Sequence, residues 1–220
     1  MKTHSSLKFI LCLTVLSILV GQSQPTEPKR RDPAMWTKKM DSFAQADKKT
    51  PPPQSPILFV GSSSIGLWKT EKCFPGWSTL NRGFGGSVMY EPAHFFDQVV
   101  KPYAPKVVVF YSGDNDIAFG YKPEQVRDDF LIFVKKLHEY NPDTPLVWVS
   151  IKPCRARWKG VENLRKANEL IKAEVDKDDK LFCMDIDAPL MGDDGLPMEH
   201  LFLSDRLHLN PDGYVIWTDL

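Results

Sequence analysis

A few residues in this chain combine type and spacing in a way that allows specific chemistry. Asp205 and His208 stand three positions apart in "SDRLHLNPDGY". In a tight turn the carboxylate can accept from the imidazole Nδ1–H, which sets the tautomer and leaves Nε2 free to take a proton. Three consecutive hydroxyls, Ser62, Ser63 and Ser64, follow Gly61 at the end of the apolar run 57–60. The stretch "NRGFGGS" contains Gly86 in a Gly-Gly pair, where backbone can approach a substrate closely and present its N–H. The stretch "SGDND" contains Asn115, whose amide is an uncharged donor. A hydroxyl, a base, a carboxylate to orient the base and donors for a developing oxyanion are the parts of a serine hydrolase. On this reading alone the nucleophile is any one of the three serines.

These residues need a scaffold that gathers them. The runs 57–60, 107–111, 146–151 and 181–184 are continuously apolar or rich in β-branched residues, as strands buried on both faces should be, and 77–80 is a weaker fifth. Amphipathic stretches alternate with them. Residues 90–101, 123–140 and 160–177 read as helices, and 34–48 precedes the first strand with helical spacing. The "TPPPQSP" segment between that helix and the strand excludes helix. Strand alternating with helix predicts a parallel sheet covered on both faces, with function on the loops after the strands. Every candidate above follows an apolar run or lies in the last loop, where Asn210-Pro211 suits the start of a closing helix. Arg155, Arg157 and Trp158 follow the fourth run and are candidates equally for a cleft wall and for plain surface.

Composition narrows the function. The 220 residues suffice for one well-buried domain. Basic and acidic residues balance at 28 each, which gives no electrostatic footprint for nucleic acid or an anionic membrane. Residues 1–23 read as a secretory signal: Lys2 and Lys8 flank a polar start, an apolar core runs over 9–20, and Gly21 and Ser23 stand where a cleavage site wants small residues. The expected mature protein is therefore secreted or periplasmic, with no membrane span. Residues 24–33 are polar and Pro-rich and read as a linker, so that 24–55 leads into a domain over 56–220. With Cys12 in the leader core, the mature chain keeps Cys73, Cys154 and Cys183, odd in number and widely spaced, which argues against a disulfide framework or a zinc site, though not against a single disulfide. Asp114 and Asp116 lack the further oxygen ligands a hard cation needs, so no metal and no cofactor are expected.

In these blocks the chain resembles the SGNH, or GDSL-type, hydrolase superfamily. The resemblance spans residues 57–214. It implies a three-layer α/β/α flavodoxin-like fold with a five-stranded parallel sheet. It maps the catalytic serine onto Ser63 of "GSS", the second-block glycine onto Gly86, and the asparagine of Gly-x-Asn-Asp onto Asn115. It maps the Asp-x-x-His pair onto Asp205 and His208. The implied oxyanion donors are the N–H groups of Ser63 and Gly86 and the side chain of Asn115. Two features depart from the family pattern. Ser62 stands where relatives carry an aspartate, which should change local hydrogen bonding and leave the chemistry. The chain also ends at Leu220, early in what should be the closing helix.

The resulting expectation is a secreted serine esterase acting on short-chain acyl esters, with an O-acetylated carbohydrate as the candidate substrate. A lysophospholipase- or thioesterase-type acyl hydrolase and a non-catalytic carbohydrate- or anion-binding relative are the alternatives. An α/β-hydrolase is disfavoured because Ile65 replaces the second glycine of Gly-x-Ser-x-Gly.

Overall fold

The computed structural model describes residues 28–220. The leader expected over 1–23 lies outside them. Five parallel strands form one sheet: β1 Ile57–Gly61, β2 Thr79–Gly83, β3 Val107–Tyr111, β4 Leu146–Val149 and β5 Leu181–Met184, in the order β2-β1-β3-β4-β5. The helices are α1 Thr37–Lys49, α2 Ser63–Leu67, α3 Thr70–Cys73, α4 Tyr90–His94, α5 Phe96–Val99, α6 Asp114–Ala118, α7 Pro123–Tyr140, α8 Val161–Val175 and α9 Pro211–Asp219. This is the three-layer flavodoxin-like architecture expected from the alternation of runs and amphipathic stretches.

Successive strand residues face opposite sides of a sheet, and the core divides accordingly. Leu58, Val60, Val108, Phe110, Leu146 and Trp148 meet the buried faces of α4, α5, α7 and α8, with Met40 of α1 beside them. Phe59, Val109, Tyr111 and Val149 meet Ile65 of α2, Tyr214 and Trp217 of α9, and the long 186–209 connection. The sheet is hydrophobic on both sides, which is why its strands read as unbroken apolar runs.

Three details differ from the sequence reading. β2 begins two residues late and runs through Asn81 and Arg82, polar residues held by tertiary partners: Asn81 Nδ2 donates to Ile65 O, and Arg82 reaches Asp47 and the Tyr103 hydroxyl. Trp77, expected in the strand, is exposed. The helix expected over 90–101 is broken at Phe95 into α4 and α5. Residues 28–33, read as a linker, pack against the domain: Arg30 forks onto buried Asp129 and lies 4.6 Å over the Tyr90 ring.

The strand order reverses between β1 and β3, the place where flavodoxin-like sheets open a crevice at their carboxyl ends. The two strands pinch together there. Ser62 N–H donates to Tyr111 O at 3.0 Å. Gly61 has a φ of +142°, and a Cβ on it would stand 1.8 Å from that same carbonyl oxygen. Only glycine lets the chain leave β1 and turn directly into α2 at this point.

Candidate active site

Ser63 is the first residue of α2, immediately past the β1 crossing. Its two neighbours point away from solvent. Ser62 and Ser64 are fully buried, and neither hydroxyl has a hydrogen-bond partner among the described residues. Ser63 lines a cleft of about 600 Å³ with Gly85, Gly86, Asn115, Arg157 and His208. The structure thus separates three chemically equal serines by exposure alone. At Ser62, the position where relatives carry aspartate, there is no local hydrogen bond from the side chain.

The Asp205–His208 pair sits in a short hairpin closed by the Phe202–Leu209 bridge and by Leu203 N–H donating to His208 O at 2.8 Å. Arg206 takes a left-handed φ of +54° at its tip. That geometry turns the Asp205 carboxylate back over its own loop, where it accepts from Leu207 N–H at 2.9 Å and His208 N–H at 3.0 Å. His208 Nδ1 lies 2.7 Å from Asp205 Oδ2, and Nε2 lies 2.9 Å from Ser63 Oγ. The first contact requires Nδ1–H to donate, so in the neutral imidazole Nε2 is the acceptor for the serine hydroxyl. Partial burial opposes ionisation of Asp205, but the donations from the His208 side chain and from the two backbone N–H groups outweigh it and hold the carboxyl at about 2.

The expected oxyanion donors converge on the same cleft. Gly86 has a φ of +84°, which presents the loop after β2 to the cleft. Asn115, in the first turn of α6, is almost wholly buried. Its Nδ2 donates to Ser87 O at 2.9 Å, which occupies one of two amide hydrogens and ties the second-block loop to the third. Asp116 makes a parallel tie by accepting from Met89 N–H with both oxygens, at 2.9 and 3.0 Å.

Several contributors to the site are missed by the sequence reading. Lys39 of α1, Leu67, Phe119 and Leu207 complete the cleft wall. Arg31, in the supposed linker, donates from Nη1 to Gly86 O at 2.7 Å, faces buried Glu91 at 3.8 Å and lies 5.0 Å over the Phe119 ring. Asp114, singled out only as a weak metal ligand, is instead an ion-pair partner of Lys152 and Arg157. No signal in a single sequence marks an arginine in a polar stretch as a partner for a loop 55 positions on. Of the three residues after β4, Arg157 reaches the cleft, whereas Arg155 pairs with Asp194 and Trp158 stacks beneath Arg165. Among the described residues Cys73, Cys154 and Cys183 are free thiols, Cys154 buried and the others partly so.

A flavodoxin-like sheet with a serine, an imidazole and a carboxylate in line at its switch point has the arrangement of a serine hydrolase. Comparison with known proteins carries this to the family. A model of the GDSL-like Lipase/Acylhydrolase family matches residues 68–216, more than half of the chain, and the chain belongs to that family. It is 27% identical over 177 residues to platelet-activating factor acetylhydrolase IB subunit alpha1 of Bos taurus, covering 77% of this chain and 73% of that protein. Among solved structures it resembles a GDSL-like lipase from Bacteroides thetaiotaomicron, with a TM-score of 0.71 at 17% identity over 82% of this chain and 94% of the other. It also resembles a family 3 carbohydrate esterase from Clostridium thermocellum, with a TM-score of 0.61 at 16% identity over 76% and 92% of the two chains. At these identities the structural likenesses speak for the fold.

Proposed function

We propose that the protein is a secreted or periplasmic esterase that removes short acyl groups through an acyl-enzyme on Ser63. The observation that carries this reading is the unbroken line from Asp205 Oδ2 through His208 to Ser63 Oγ, at 2.7 and 2.9 Å. In the reaction Ser63 Oγ attacks the ester carbonyl while its proton passes to His208 Nε2. Asp205 holds the imidazole and favours its cationic form. The negative charge on the carbonyl oxygen is met by the N–H groups of Ser63 and Gly86 and by the second hydrogen of Asn115 Nδ2. His208 then protonates the leaving alcohol. A water activated by the same nitrogen attacks the acyl-enzyme and releases the acid.

A small acyl group suits the cleft. Its wall mixes the charged Lys39 and Arg157 with Leu67, Phe119 and Leu207. The apolar groove beside Trp217 and Phe74 is lined by none of the triad residues. The acetylhydrolase name of the mammalian relative and the carbohydrate-esterase fold neighbour point the same way, and an O-acetylated carbohydrate is the substrate class we favour. Export rests on the leader read in residues 1–23.

The test is hydrolysis of p-nitrophenyl acetate, butyrate and octanoate, with an acetylated xylo-oligosaccharide beside them, by wild type and Ser63→Ala. We expect kcat/KM to fall with acyl length and all activity to vanish in the variant. Highest kcat/KM on the octanoate would favour a lipid acyl hydrolase. No serine-dependent hydrolysis of any ester would leave a binding protein.

A further inference from the structure

Behind the cleft lies a charge cluster that the triad and the three oxyanion donors do not account for. Lys152 is fully buried, 3.4 Å from Asp114 Oδ2, itself 3% exposed. Arg157 Nη1 reaches the same oxygen at 3.0 Å. The other arm of the guanidinium, Nη2, donates to Asn115 Oδ1 at 2.9 Å. Arg157 is the member of the cluster that lines the cleft.

Three consequences follow from this fork. An amide side chain is symmetrical in outline, and only its hydrogen bonds decide which end faces a ligand. With a cation at Oδ1 and Ser87 O at Nδ2, Asn115 cannot turn over, and one hydrogen of its donor end is left over beside the cleft it lines. A charge-assisted bond at the carbonyl oxygen also withdraws electron density through the amide, which strengthens Nδ2–H as a donor. Finally, two cations share one carboxylate. The cluster keeps one surplus positive charge, with Lys152 and Asp114 buried and Arg157 at the cleft, where it favours a nearby oxyanion.

We infer that Arg157 is a positioning residue for the oxyanion hole: it orients and polarises Asn115, with the buried Lys152–Asp114 pair as its anchor. The local backbone fits that task. Arg157 departs from helical geometry, with φ −121° and ψ 21°, inside the 3-10 stretch Arg155–Gly160. The preceding Ala156 N–H donates to Arg206 O at 3.2 Å, so the segment that aims Arg157 at Asn115 is also tied to the hairpin carrying Asp205 and His208.

The inference rests on the esterase reading, and a double-mutant cycle on p-nitrophenyl acetate separates the two. Wild type, Ser63→Ala, Arg157→Met, Arg157→Lys, Asn115→Ala and Arg157→Met/Asn115→Ala are compared for kcat and KM, with a thermal melt of each. Removing one oxyanion donor costs about 10²–10³ in kcat, so Asn115→Ala should fall in that range. Arg157→Met should lose roughly tenfold or more in kcat with KM within about twofold, a fraction of the cost of the donor it serves. In the Asn115→Ala background the same change should do almost nothing, because its effect runs through the missing amide. Arg157→Lys keeps the charge but cannot bridge both partners. It should recover part of the loss, and it supplies the reading if Arg157→Met does not fold. Wild-type kcat in either Arg157 variant, or an Arg157→Met penalty of the same size with and without Asn115, overturns the inference while the esterase reading stands. Hydrolysis that survives in Ser63→Ala overturns both.

Discussion

His208 Nε2 lies 2.9 Å from Ser63 Oγ although 145 positions of chain separate them. The contact depends on two independent elements, the β1–α2 turn and the 202–209 hairpin, and on what fastens them together. Tyr214 of α9, just past the hairpin, donates its buried hydroxyl to Ser64 O at 2.7 Å. Asn210 caps α9 by accepting from Gly213 N–H and also donates back to His200 O and Phe202 O. The closing helix therefore holds His208 and Ser63 in one frame.

The three serines should separate cleanly on mutation. Ser63→Ala is expected to lower kcat by about 10⁴ or more, as loss of a triad nucleophile does. Ser62→Ala should keep kcat within about twofold. Its hydroxyl is buried without a partner among the described residues, so its removal should be neutral or stabilising by about 1 kcal/mol. Steady-state kinetics and thermal melts of both variants decide the matter. Equal losses from the two would put the nucleophile in the wrong place.

The Asp205 carboxyl, held at about 2 in the folded chain, lies below its unfolded value near 4. Its contribution to stability is complete above the unfolded value and fades as the pH falls from about 4 towards 2. No inflection in kcat/KM between pH 4 and 9 should belong to this carboxylate. Asp205→Asn leaves the outline but offers an amide to the imidazole, which can then settle in the wrong tautomer, and kcat should drop by about 10³–10⁴. A pH–rate profile of the variant that merely shifts, with its plateau unchanged, would argue against this role.

Asp116 behaves in the opposite sense. Complete burial pushes its carboxyl up to about 8, against the two bonds it accepts from Met89 N–H. A folded value above the unfolded one means that this residue costs nothing below about pH 4 and progressively weakens the fold as the pH rises towards 8. The thermal midpoint of wild type should therefore decline over that interval more steeply than that of Asp116→Asn. Parallel curves for the two proteins would show that Asp116 is already ionised in the fold.

Arg31 should matter to turnover although it lies outside every sequence block. Its bond to Gly86 O, backed by Glu91, braces the loop that carries the proposed oxyanion donor Gly86. Glu91 is fully buried, and that burial raises its pKa against the opposing pull of Val88 N–H and Arg31. A hydrogen bond to a charged group is worth about 1.5 kcal/mol, so its loss from a loop that must be rigid in the transition state corresponds to roughly tenfold in rate. Arg31→Met is expected to lower kcat by that order, with the fold intact by circular dichroism. An unchanged kcat would show that the loop is rigid without it.

Much of the fold was legible because parallel strands buried on both faces and amphipathic helices impose different periodicities. β3, β5 and α7 coincide with the ranges expected from apolar pattern alone. β2 did not, because its polar residues are paid for by partners elsewhere in the chain, Arg82 by Asp47 and Tyr103. The candidate site was legible to the extent that its chemistry is local. Asp205 and His208 share one turn, and Asn115 follows its strand directly.

What the sequence by itself determined is the set of groups able to act: a base with its carboxylate, a glycine and an asparagine as donors, and a serine at the end of β1. Residue type and short-range spacing define those. What only the tertiary structure decided is which groups are held and by what. Burial sets Ser63, the serine the resemblance implies, apart from its two identical neighbours. A hydrogen bond across 42 positions brought Arg157 to Asn115, and one across 55 brought Arg31 to Gly86. Long flexible side chains carry no periodic signal, and their partners are chosen by the packing of elements far apart in sequence, so their roles become readable only once the fold has closed.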